Sequence, residues 1–326
     1  VERAADWAVK ELSGLGFTGG KRQTPGHPMI VMHHPGPNTG GAKSAPHILY
    51  YGHYDVQPPE PLELWDAPPF EPQLIDAERG KRIVARGAVD DKGQVMTWLE
   101  SLRAWHKVNG APPCEVTVLL EGEEETGSPN LEPFLEANAE ELSRPDVAIV
   151  CDTPMWSLEK PAITWLLRGM CYAEITLEGP SHDLHSGLYG GAVLNPINAL
   201  TTILGDLQDD QGRVQIPGFY DDVEEPPEAV KANWAALGFD EDAFLAGVGL
   251  TVPHGEAGRT PLERLWSRPT ADVNGIWGGY TGEGSKTVIA SRASCKLSCR
   301  LVPNQDPQKI KAGVEAFFRA RAPKDA

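Results

Sequence analysis

Four groups of side chains able to bind a cation or move a proton punctuate the first half of this chain, each at the end of an apolar run. His53-Tyr54-Asp55 follows HILYYG, and Asp90-Asp91 precedes Lys92-Gly93. Glu121-Gly122-Glu123-Glu124-Glu125 completes EVTVLL, and Asp152 follows VAIVC. Residues i and i+2 of a strand share a face, so His53 and Asp55 can act as a metal ligand and the carboxylate that orients it. Taken singly, each group has an ordinary structural role. A histidine at a strand end hydrogen-bonds to its surroundings, and Asp90-Asp91 can cap a helix. Three consecutive glutamates make a solvated loop, and Asp152 before Thr153-Pro154 makes an Asx turn. Gathered at one edge of a sheet, however, four acidic loops repel one another unless a cation lies among them. One imidazole with several carboxylates suits a borderline to hard divalent ion such as zinc or manganese.

The elements that must position these groups follow from apolar patterning. Helical spacing of Ala4, Trp7, Ala8 and Leu12 predicts a helix over 1–15, stopped by Gly14 and Gly16. Strands are predicted at 27–34, 47–54, 82–85 and 115–121, and a third central strand at 147–151. Helices are predicted at 92–108 and 130–142, with a turn at Lys43–Ala45. The segment 56–72 is too proline-dense to hold a ladder. Strands alternating with helices, with reactive residues at strand C-terminal ends, predict an α/β domain. The second half reads as a smaller α+β domain. Strands are predicted at 171–177 and 294–302, helices at 195–207 and 307–321, and an acidic helix-prone stretch at 221–265 is broken by Pro226-Pro227.

Composition narrows the function classes. The 326 residues carry 29 basic and 46 acidic side chains, a formal net charge of −17, which argues against a phosphate-tracking nucleic-acid binder. No run approaches the ~20 apolar residues of a membrane-spanning helix, so neither nucleic acid nor membrane is an expected partner. Five cysteines without a CxxC pair predict no disulfide scaffold and a reducing, cytoplasmic setting.

Six motifs then occur in order: GHYDVQP (52–58), RGAVDDKG (86–93), EGEEETGS (121–128), CDTPMW (151–156), DLHSG (183–187) and RLVPNQDP (300–307). As a set they resemble the dinuclear metallopeptidases of the carnosinase and aminoacylase type, and most closely their dipeptidase branch. The resemblance implies a mixed-sheet, zinc-peptidase-like α/β catalytic domain (1–164) and an inserted ferredoxin-like α+β lid and dimerisation domain (165–326). It implies two divalent metal ions, zinc first, with manganese or cobalt as alternatives. His53 and Asp152 would bind one ion and Glu125 the other, with Asp90 shared. Glu124 would be the general base that takes a proton from a water between the ions, and Asp55 would orient His53. His185 would reach into the partner subunit of a homodimer as oxyanion donor. Arg300 would hold the substrate carboxylate, with Thr287 near the substrate. The bond after the shared aspartate, Asp90–Asp91, is a candidate cis peptide.

The implied activity is metal-dependent hydrolysis of dipeptides. Hydrolysis of N-acyl or N-carbamoyl amino acids is the alternative within the family, and a catalytically silent binding relative the alternative outside enzymes. Glycines 279, 282 and 284 in GYTGEG are not followed directly by the Lys-Ser/Thr pair of a phosphate loop. His27, His33, His34, His106, His182 and His254 read as structural or surface residues. The pattern departs from the family in having no histidine after His254 and no final lid strand after 321, and the first residue is Val. A chain truncated at both ends, with the rest of the catalytic domain beyond 326, is therefore expected.

Overall fold

The computed structural model describes residues 1–37, 46–77 and 79–326, which divide into two compact units, 1–163 and 164–326. The turn expected at Lys43–Ala45 lies outside the described residues. None of the described helices is long and apolar enough to cross a membrane.

The first unit runs α1 (Glu2–Gly14), β1 (Thr18–Arg22), β2 (Met29–His34), β3 (His47–His53), β4 (Gln73–Ala77), β5 (Gly80–Val84), α2 (Lys92–Asn109), β6 (Glu115–Glu121), α3 (Leu131–Ala137), α4 (Ala139–Leu142) and β7 (Val147–Val150). Its five-stranded sheet has the order β1-β2-β6-β3-β7. β3 is parallel to both β6 and β7, while β2 is antiparallel to β6 and to β1. The sheet is thus mixed. One face buries Ile30, Met32, Tyr50, Val118 and Leu120 with Ala5, Ala8 and Leu12 of α1 and Leu99 and Leu102 of α2. The other packs Met29, Val31 and Leu119 against Phe134 of α3 and Leu142 of α4. Each large side chain withdrawn from water contributes roughly 1.5–3 kcal/mol.

This topology explains where the reactive groups sit. Three parallel strands end on one edge, so His53, the loop after Glu121 and Asp152 emerge together. The start of α2 joins them because the buried Asp91 accepts the backbone N–H of His53 through Oδ2 at 3.0 Å. Gly52 makes that approach possible, since a Cβ there would lie 2.8 Å from Asp91 Oδ2.

Several elements differ from expectation. β7 is an edge strand of the described sheet, with Val147 and Val150 half-exposed, where VAIVC suggested a central one. The helix expected over 130–142 breaks at Asn138, whose side chain turns back to the Phe134 carbonyl and also accepts from Arg22. β1 and the exposed hairpin strand β4 carry no apolar alternation that would have announced them.

The second unit runs β8 (Gly169–Glu178), β9 (Leu184–His185), α5 (Ser186–Tyr189), α6 (Pro196–Gly205), α7 (Glu228–Ala236), α8 (Glu241–Ala246), α9 (Pro261–Trp266), β10 (Thr270–Gly278), β11 (Val288–Ile289), β12 (Arg292–Leu301) and α10 (Pro307–Arg321). An antiparallel sheet of order β10-β12-β8 packs Leu297, Cys299 and Leu301 against Leu200 and Ile203 of α6 and Val314 and Phe317 of α10. The succession β8-α6-β10-β12-α10 follows the βαββα part of a ferredoxin-like unit. β10 was not expected from sequence, because a bulge between Val273 and Gly275 interrupts its alternation.

Candidate metal centre

His53 is fully buried and faced by carboxylates on both ring nitrogens. Nδ1 is 3.2 Å from Asp55 Oδ1, while Nε2 is 3.1 Å from Asp90 Oδ1, 3.8 Å from Asp152 Oδ2 and 4.0 Å from Glu124 Oε2. His53, Asp90 and Asp152 each offer one ligand atom within 4.8 Å of the others. Asp55 in turn accepts the backbone N–H of Glu125 at 3.0 Å through its second oxygen. The side chain lying between strand β3 and the glutamate loop is therefore fixed at both oxygens.

The charges show what the cluster lacks. Burial opposes protonation of His53, yet its hydrogen bond to Asp55 and the surrounding carboxylates outweigh it and raise its pKa to about 9. Burial pushes Glu124 and Asp152 above the ordinary carboxylate range, and neighbouring carboxylates push the same way against the pull of His53. Burial likewise raises Asp91, to about 6. Asp55 is held low, its hydrogen bonds from His53 and Glu125 overcoming burial. A set of carboxylate oxygens and one imidazole that concentrates negative charge in this way fits a divalent cation.

Adjacent Glu124 and Glu125 diverge. Glu124 turns toward His53, whereas Glu125 Oε2 accepts from Gln57 Nε2 at 2.6 Å and lies outside the three-residue ligand group. The capping role open to Asp90-Asp91 is not realised: no side chain caps α2, and Asp91 instead fastens β3. The Asp90–Asp91 peptide is cis.

Three neighbours were given no separate role by sequence. Gln57 holds Glu125. Lys92 reaches the Asp55 carbonyl at 3.4 Å and is pushed down by burial. Buried Glu121 accepts from Tyr51 and, at 2.9 Å, from Ser128. All three stand inside the quoted motifs, and their side-chain directions were the missing information.

The remaining expected residues belong to the second unit. His185 Nδ1 accepts the Gly187 N–H at 3.0 Å, which leaves Nε2 carrying the proton, 3.2 Å from Thr287 Oγ1. Arg300 sits on β12 opposite Met170 and Thr270, and makes no hydrogen bond or ion pair with His185 or Thr287 among the described residues. Arg168, missed in the sequence, is pushed down by burial and then by the charge of Arg300.

The profile of peptidase family M20/M25/M40 matches residues 49–320. The chain belongs to this family. The M20 match takes in every expected site residue, from His53 to Arg300. A Cys-Gly metallodipeptidase of Schizosaccharomyces pombe is 33% identical over 316 residues, 95% of this chain and 66% of the relative. A Beta-Ala-His dipeptidase of Rattus norvegicus is 31% identical over 287 residues, 86% of this chain and 58% of the relative. Among solved structures, an M20 family metallo-carboxypeptidase of Sulfolobus solfataricus superposes with a TM-score of 0.84 at 33% identity, covering 98% of this chain and 71% of that one. The chain thus spans about two thirds or less of the curated relatives named here.

Proposed function

We propose that the protein hydrolyses dipeptides with a divalent-metal cofactor, two ions with zinc first among candidates. The observation that carries this is the convergence of Asp90, Asp152 and Glu124 on one nitrogen of buried His53, whose other nitrogen Asp55 occupies. The relatives named Cys-Gly metallodipeptidase and Beta-Ala-His dipeptidase support peptides as the substrate class. His53 and Asp152 would hold one ion and Glu125 the other, with Asp90 shared. A bound divalent ion supplies Lewis acidity and makes a neighbouring water more acidic.

The chain's own residues do the rest. Glu124 takes the proton of the attacking water on a carboxylate oxygen and passes it to the leaving amine, so that water and peptide become acid and amine. Its raised pKa suits a group that must both accept and release a proton. Asp55 holds His53 in one tautomer and orientation. His185, with its proton on Nε2, shifts that donor from Thr287 to the carbonyl oxygen as negative charge develops there. We assign that donation to the partner subunit of a homodimer formed through the 164–326 unit. The planar fork of Arg300 pairs with the substrate carboxylate, and Thr287 orients His185 beside the substrate. The five free cysteines support a cytoplasmic setting. Assay of the purified full-length protein on dipeptides and N-acyl amino acids, with defined metals, tests the assignment. Faster turnover of dipeptides is expected, and activity confined to N-acyl amino acids would overturn it.

A further inference from the structure

A second histidine–carboxylate cluster stands at the opposite end of the same strands. His33 is on β2, His47 opens β3, and Glu115 and Thr117 open β6. The register pairs His47 with Glu115 and His33 with Thr117, so all four side chains lie on one face of the sheet. Glu115 Oε1 is 3.6 Å from His33 Nε2 and 3.5 Å from His47 Nδ1. The far nitrogens of both rings meet one hydroxyl: Thr117 Oγ1 is 3.2 Å from His33 Nδ1 and 2.8 Å from His47 Nε2.

Proton counting shows what this arrangement wants. Thr117 has one proton and can donate to only one of the two rings. At least one histidine must therefore donate to the hydroxyl. Unless that ring is doubly protonated, it then points a lone pair at the Glu115 carboxylate. If both rings donate to Thr117, two lone pairs and a carboxylate oxygen converge on one point, an arrangement that repels without a cation. The separations of 3.5 and 3.6 Å are long for hydrogen bonds. They match the spacing of about 3.4 Å between ligands on a tetrahedral ion with bonds of about 2.1 Å.

We propose that His33, His47 and Glu115 form a zinc site, with Thr117 fixing both imidazoles and the fourth position open. Two imidazoles and one carboxylate favour zinc over magnesium or calcium. The side chains of His33 and Glu115 are each 37% exposed, so an ion can enter from solvent, while His47 and Thr117 are buried and hold their orientation.

The test counts zinc bound to metal-free full-length protein, by competition with a chromophoric chelator and by elemental analysis after desalting. His33→Gln is expected to lose one equivalent relative to the parent, without loss of dipeptide hydrolysis. Thr117→Val, close in shape, is expected to keep the fold and weaken the same equivalent about 10- to 100-fold. An Asp90→Asn/Asp152→Asn protein is expected to retain that equivalent, because the two clusters do not share ligands. Unchanged zinc number and affinity in both His33→Gln and Thr117→Val would overturn the site. So would an Asp90→Asn/Asp152→Asn protein that binds no zinc. A count that falls in His33→Gln but not in the Asp90→Asn/Asp152→Asn protein would leave this site standing and count against the His53 centre.

Discussion

The backbone N–H of His53 donates to Asp91 Oδ2 across 3.0 Å, tying the last residue of β3 to the entry of α2. Because His53 and Asp90 flank this bond, it sets the distance between two expected metal ligands. Removing the acceptor leaves a buried N–H unpaired, which costs about 1–3 kcal/mol. Asp91→Ala is therefore expected to lower stability by that amount in denaturant titration and to weaken metal binding. Asp91→Asn, which keeps an acceptor, is expected to restore most of the stability.

Glu124 faces the ligand cluster while Glu125 is held by Gln57, and the two should separate by mutation. Glu124→Gln is expected to retain bound metal and lose about 10²- to 10⁴-fold in kcat on a dipeptide. Glu125→Gln is expected to lose metal as well as rate. Metal content measured beside single-turnover rates checks the pair, and near-normal turnover of Glu124→Gln would remove it as the base.

Much of this was written in the sequence, and the exceptions have physical causes. β3 and β6 were legible because both faces are apolar, and α10 because Asp306 caps it ahead of Pro307. β7 is equally apolar, but composition does not say which strand lies outermost. The family resemblance singled out Asp90 as an expected ligand, whereas the separate duty of Asp91 depends on the close approach that Gly52 permits. The His33–His47–Glu115 cluster was invisible because its members come from three strands, and register alone aligns them. His33 therefore read as a structural or surface residue.

In the second unit, buried Arg268 pairs with buried Glu256 through two hydrogen bonds, Nε to Oε2 at 2.7 Å and Nη2 to Oε1 at 2.9 Å. Arg213 adds a third contact, at 2.7 Å. Arg268→Ala leaves Oε2 of buried Glu256 without its partner while Arg213 still holds Oε1, so a cost of about 1–3 kcal/mol is expected. Thermal unfolding checks this, and a change within about 0.5 kcal/mol, the range of ordinary surface substitutions, would show the pair to be unimportant.

If His185 serves the site of a partner subunit, complementation must follow. His185→Ala and Glu124→Gln homodimers are each expected to be nearly inactive. Mixed dimers, purified through two affinity tags, are expected to recover part of the parental rate. No recovery in verified mixed dimers would confine His185 to its own subunit or to a structural role.

The carboxylates gathered on His53 are expected to hold a divalent cation on which peptide hydrolysis depends. The most direct measurement is dipeptide turnover by purified full-length protein after exhaustive chelation, then after zinc, manganese or cobalt is added back, with metal content measured at each stage. Activity is expected to be lost with the metal and to return with the ion. Full dipeptide turnover by metal-free protein would contradict this.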